Sequence, residues 1–244
     1  MSERYYWPSD QSQPLLNMTG TLSGDESHHL TRVMRQKTGD LVTLFDGKGH
    51  EFLAEITDAR KDRVSFVIRE HRDVDTEAYR QVTIALSLPK GDRQKWLVEK
   101  LTELGCHRLI LLQTDRAVVQ CSDQVIERLQ RQVLEATKQC NRSRLMQVLP
   151  ERTIAGCVSD SVDVVGWIAH PRCDGDFGQN DLSRLMQTAL PQRVLVLIGP
   201  EGGFTRQEVE QAVERGLLPL DLGPRILRVE TAAIMLTTIM ASVA

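Results

Sequence analysis

Between Leu41 and Glu70 apolar and polar residues alternate with a period of two: LVTLF, the polar turn DGKG, EFLAEIT, the turn DARKD, then RVSFVIRE. Residues two apart share one face of a strand, so the stretch predicts short strands joined by tight turns, forming a small antiparallel sheet or barrel. Before it, helical spacing over residues 25–36 places Leu30, Val33 and Met34 on one face. After it, the segment HRDVDTEAYR (71–80) is polar and without period, and the pattern then changes. The expected domains are therefore residues 1–74 and 75–244.

Beyond that boundary, continuous apolar runs alternate with amphipathic helices, the rhythm of a parallel sheet covered on both faces. The predicted strands are Val82–Leu88, Leu109–Gln113, Val164–Ala169, Val194–Ile198 and Leu217–Leu222. The predicted helices are Arg93–Leu104, stopped by Gly105; Asp123–Cys140; a short one near Leu182–Thr188; and Arg206–Arg215, stopped by Gly216. Thr205 and Glu208 have the spacing of a capping box, in which each side chain satisfies a free backbone N–H. The last helix, Thr231–Ala244, holds no charged residue and is too short to span a bilayer. It is expected to be buried in its own domain or against another subunit.

Composition narrows the class. With 41% hydrophobic and 26% charged residues, the chain reads as an ordinary globular protein. No apolar run reaches the roughly 18–20 residues of a membrane span, and MSERYYWPSD lacks the apolar stretch of a signal peptide, so a cytoplasmic protein is expected. Cys106, Cys121, Cys140, Cys157 and Cys173 are odd in number, widely spaced and without a C-x-x-C pair, which argues against a disulfide framework. No His/Cys/Asp group has metal-ligand spacing, so no metal is expected. A net charge of −3 means that any nucleic-acid surface must be a local stripe. The candidate stripes are Arg32, Arg35 and Lys37; Lys90, Arg93 and Lys95; Lys138, Arg142 and Arg144; and Arg225 with Arg228. Each alone reads equally well as a solvated face.

Two turns carry the chemistry. VLVLIGPEGGF is a buried strand running into a glycine-dense turn and a capped helix, so backbone N–H groups converge beyond the strand's carboxyl end, where open α/β sheets bind ligands. Gly199, Gly202 and Gly203 leave room for close backbone approach. The turn is neither a Walker loop nor a Rossmann fingerprint. A second turn, LGPRILRVET, passes through Gly223 and Pro224 into the final helix at Glu230. Two such turns from adjacent strands would line one pocket.

IGPEGGFTRQEVE together with LGPRILRVETAA resembles the C-terminal signature of the SPOUT methyltransferases, and within them the ribosomal RNA small subunit methyltransferase E family. LPKGDRQKWLVEKLTELG, TDRAVV, EATKQCNRSR and an N-terminal RYYWP followed by HHLTRVMRQKTGD extend the likeness over nearly the whole chain. The resemblance implies an α/β fold: a C-terminal SPOUT-type domain tied in a trefoil knot, preceded by a small PUA-like, RNA-binding β-barrel. It implies a homodimer that methylates N3 of a uridine in 16S ribosomal RNA of the small subunit, using S-adenosylmethionine. Met146, where a proline is usual, and Gln120, where a lysine is common, depart from the pattern on what is expected to be the RNA side.

On this reading the cofactor is gripped by Ile198, Gly199, Pro200, Glu201, Gly202, Gly203, Leu222, Gly223, Ile226 and Leu227, with His170 at the end of the preceding strand. Uridine N3 carries a proton, so transfer needs a base or stabilisation of the uridinate. Arg142, Arg228 and Glu201 are the catalytic candidates, with Arg144 also able to stabilise charge. Glu230 is a further possible base, although its position at a helix start fits an interaction with the helix dipole better than catalysis. Arg35, Lys90, Arg93, Arg116, Arg142 and Arg144 are the RNA-binding candidates. Two rivals remain: a SPOUT enzyme acting on another position such as a ribose 2′-hydroxyl, and an RNA-binding protein without catalysis.

Overall fold

The computed structural model describes residues 4–8, 16–159, 164–170, 180–187 and 189–242. Cys173, Thr188 and the last two residues of the expected final helix lie outside them. The chain divides into two compact units, Met1–Glu77 with Thr137–Leu145, and Ala78–Ala136 with Met146–Ala244.

In the first unit, β1 (Arg4–Tyr6), β2 (Thr19–Ser23), α1 (Gly24–His28), β3 (Leu41–Phe45), β4 (His50–Arg60) and β5 (Arg63–Asp73) follow in order. The sheet runs β1-β3-β4-β5-β2, with β1 parallel to β3 and the other pairs antiparallel. Alternation puts Val42 and Leu44, then Phe52, Ala54 and Ile56, then Val64, Phe66 and Ile68 on one face, and all are buried in one cluster with Tyr5, Leu22 and Leu30. Register shifts in β4 let the long hairpin bend over that core.

The expected helix over residues 25–36 is corrected. Regular winding stops at His28 and widens into a π-type turn, His29–Val33, with Met34 N–H donating to His29 O at 3.0 Å. The wider turn rotates the face, so Leu30 is buried while Val33 is 56% exposed, and Arg35 ends the segment at φ 56°.

The second unit holds β6 (Gln81–Leu86), α2 (Arg93–Glu103), β7 (Arg108–Leu112), α3 (Asp123–Gln139, its last turn falling in the first unit), β8 (Gln147–Arg152), α4 (Ile154–Ser159), β9 (Val165–Ala169), β10 (Asn180–Asp181), α5 (Leu182–Gln187), β11 (Arg193–Ile198), α6 (Arg206–Glu214), β12 (Leu218–Asp221) and α7 (Val229–Ser242). All pairs in its sheet are parallel, in the order β10-β12-β9-β11-β6-β7-β8. Val194–Ile198 and Ile84–Leu86 are buried without interruption because helices cover both faces. β8 escaped the sequence reading: it is an edge strand carrying Pro150, which a central strand does not tolerate. α7 packs on β6, β11 and α2, burying Ala232, Ala233, Leu236 and Met240. Among the described residues no helix is long and apolar enough to cross a membrane.

Candidate functional site

Because every pair in the second sheet is parallel, the strands share one carboxyl edge. Leu86, Ile198, Ala169 and Leu220 lie in one row across β6, β11, β9 and β12. This corrects the expectation that the two glycine turns follow adjacent strands: β9 stands between β11 and β12. The residue after β9, His170, therefore falls between the two turns, its N–H donating to Leu220 O at 3.0 Å.

The first turn starts where Ser87 N–H donates to Ile198 O at 3.2 Å, and closes where Gly203 N–H donates to Pro200 O at 2.8 Å. Its glycines serve different ends. A Cβ on Gly199 would meet the Phe204 ring at 3.1 Å, and one on Gly202 would meet Arg116 Cδ at 3.3 Å. Gly203 instead adopts φ +68°, a left-handed conformation that side chains disfavour, with no atom within 4 Å of its Cβ direction. Gly202 was expected to make room for a ligand; what approaches it is Arg116, whose Nη1 donates to Gly202 O at 2.6 Å.

The capping box forms: Thr205 Oγ1 accepts from Glu208 N–H at 3.3 Å and Glu208 Oε2 accepts from Thr205 N–H at 2.7 Å. Glu208 Oε1 also accepts Asp115 N–H at 2.9 Å, tying the TDRAVV segment to the start of α6. The second turn is held where Asp221 Oδ1 accepts Gly223 N–H at 3.0 Å, with Gly223 at φ +103°. Leu222 and Leu227 are half-buried, Arg228 is exposed, and Ile226 is 97% exposed.

Charge at the edge is organised by Arg93. Its Nη2 donates to Glu201 Oε1 at 3.1 Å, and its Nη1 lies 3.5 Å from Glu230 Oε1. Glu230 is buried, and its other oxygen, Oε2, makes no hydrogen bond. Arg93, expected on the RNA stripe, is thus shared between two carboxylates.

The structure treats the two arginines of the CNRSR motif differently. Arg142, expected on the RNA side, is buried in the first unit with its Nε donating to Glu77 Oε1 at 2.8 Å. Arg142 O accepts from Arg4 Nη1 at 3.1 Å, and Ser143 Oγ accepts from Arg4 Nη2 at 2.7 Å. Burial holds the Arg4 guanidinium below its ordinary range, Glu51 working against that shift. Arg144 is exposed and lies over Gly49, where a Cβ would meet its guanidinium at 2.8 Å. Arg35, Lys90 and Arg116 are exposed as well. Met146, placed on the RNA side by the sequence reading, is a buried core residue at 3% exposure, while Gln120 is exposed.

An RNA methyltransferase domain family matches residues 76–241, and an RNA methyltransferase PUA domain family matches residues 22–69. Ribosomal RNA small subunit methyltransferase E of Bacillus subtilis (strain 168) is 32% identical over 94% of this chain and 92% of its own length. The protein of that name from a Synechocystis strain is 31% identical over 90% of this chain and 72% of its own length. Among solved structures, ribosomal RNA small subunit methyltransferase E of Neisseria gonorrhoeae, bound to S-adenosyl methionine, has a TM-score of 0.83 at 28% identity, covering 98% of this chain and 97% of that one.

Proposed function

Because the chain belongs to the RNA methyltransferase family, and within it to the ribosomal RNA small subunit methyltransferase E proteins, we propose that it methylates N3 of a uridine in 16S ribosomal RNA with S-adenosylmethionine as donor. The observation that carries this reading is the carboxyl edge of the parallel sheet, where two glycine turns flank His170. The groups present fit such a donor. Gly203 and Gly223 face open space in left-handed backbone, and Glu230 keeps a buried, unpaired carboxylate oxygen suited to a polar or cationic group. Backbone from Ile198 to Gly203 and from Leu222 to Leu227 would hold it. When bound, S-adenosylmethionine supplies a methyl group on a sulfonium, open to in-line displacement.

The chain's own work is alignment and charge. Two turns fixed by hydrogen bonds and a capped helix hold the donor site in place without reorganisation, which lowers the barrier to an in-line transfer. Arg228, exposed beside the second turn, stabilises negative charge developing on the uracil, and Glu201 accepts the N3 proton. Arg93 positions Glu201. Arg142 leaves the list of catalytic groups, since Glu77 occupies its guanidinium. The active form is a homodimer to which the outer face of α7 contributes.

Methyl transfer from labelled donor onto unmodified 30S particles and onto naked 16S RNA, followed by nucleoside analysis, tests the reading. 3-Methyluridine is the expected product. A 2′-O-methylated nucleoside would move the reaction to the ribose, and absence of donor binding by calorimetry would leave an RNA-binding protein.

A further inference from the structure

One side-chain cluster in the first unit takes no part in that reaction. The register of β4 and β5 sets His50 opposite Asp73 and Phe52 opposite His71. Cross-strand partners and alternate residues share a face, so His50, His71 and Asp73 stand together at the open end of the hairpin. Asp73 Oδ1 lies 3.6 Å from His50 Nε2 and 3.3 Å from His71 Nε2, and one ligand atom from each residue falls within 4.8 Å of the others. A tetrahedral ion with bonds of about 2.0–2.1 Å holds its ligands about 3.3–3.4 Å apart, so the two histidine contacts to Asp73 are already near the spacing such an ion needs, and the third side is no longer than 4.8 Å.

The surroundings orient these atoms. His50 Nδ1 is 2.6 Å from Asp46 Oδ2, and Asp46 is buried, its Oδ1 accepting the N–H groups of Lys48 at 2.7 Å and His50 at 3.1 Å. A carboxylate so placed keeps the imidazole proton on Nδ1 and turns the Nε2 lone pair toward Asp73, the arrangement of a metal-binding histidine with its carboxylate partner. His71 Nε2 is sealed from solvent and makes no hydrogen bond, while its ring stacks on Phe52 at 5.2 Å between centroids.

We propose that His50, His71 and Asp73 bind a zinc ion, with Asp46 orienting His50 and water in the fourth position. Two imidazoles and a carboxylate form the nitrogen and oxygen donor set that zinc accepts. The ion ties β4 to β5 at the end opposite their turn, so its binding adds to the stability of the first unit. These ligands come from two strands and have no motif spacing, so the sequence alone does not reveal them.

The test uses the full-length chain stripped with chelator and dialysed. Zinc is titrated in competition with a chromogenic chelator, thermal unfolding is followed with and without zinc, and cobalt replaces zinc for visible absorption. Expected are a single tight equivalent of zinc, a raised unfolding midpoint and the intense bands of four-coordinate cobalt. Asp73→Asn and His71→Gln should each weaken binding at least tenfold, and Asp46→Asn by about 10–100-fold. Should the His71 or Asp46 variant fail to fold, Asp73→Asn decides alone, since that side chain is 81% exposed. Zinc bound as tightly by the His71→Gln/Asp73→Asn double variant, whose thiols are intact, or no zinc-dependent rise in the midpoint, would overturn the proposal.

Discussion

Arg142 and Arg144 are two positions apart and chemically identical, yet their surroundings give them opposite tasks. Arg142→Ala leaves Glu77 without its buried partner, a loss of about 3 kcal/mol that a shifted denaturation midpoint will report. Arg144→Ala should change stability by no more than about 0.5 kcal/mol while flattening the log-log salt dependence of RNA binding by about one unit. An unchanged slope would make Arg144 a solvated residue only. Cys121 illustrates the same dependence on surroundings. Burial and the neighbouring Glu151 push its thiol up to about 12. Since the thiolate is the reactive form, alkylation of Cys121 at pH 8 should run about a thousandfold slower in the folded chain than in denaturant, measured by peptide mass spectrometry.

At the scale of elements, the start of α6 and the faces of α7 make separable predictions. Thr205→Ala removes one half of the capping box and should cost about 1 kcal/mol. Glu208→Ala should cost more, because the same carboxylate also accepts Asp115 N–H; equal losses by chemical denaturation would discount that second bond. On α7, Met240 is fully buried within the unit, while Ile234 is half-buried between exposed Thr231 and Thr238. Met240→Asp forces an unpaired carboxylate into an apolar site and should unfold the domain, at several kcal/mol. Ile234→Asp should preserve the circular dichroism spectrum and dissociate the proposed dimer. α7 is amphipathic in effect although it carries no charge beyond Glu230 in its first turn, since its own sheet covers one face and leaves the other half open.

For the whole molecule, the proposed dimer is the prediction with the widest reach. The residual face of α7 is uncharged, with half-buried Ile234 between Thr231 and Thr238, and a two-fold partner would cover it with the same patch. Sedimentation at micromolar concentration should show a dimer of the 27.5 kDa chain, and a single monomeric species would remove α7 from any interface. With a net charge of −3, the proposed RNA contact is assigned to separate exposed groups such as Arg35, Lys90, Arg116 and Arg144 rather than to a basic whole.

Most elements were legible in the chain itself, because side-chain period is local information: a period of two marked β3 to β5, unbroken apolar runs marked β6, β7, β9, β11 and β12, and Thr205 with Glu208 marked where α6 begins. The glycine turns were legible for the same reason, each being defined within a dozen residues. Partnership was not. That β9 lies between β11 and β12, that Arg142 meets Glu77, and that His50 meets His71 and Asp73 are consequences of strand order and register between distant segments. Local spacing leaves those choices open, and the packing of two cores decides them.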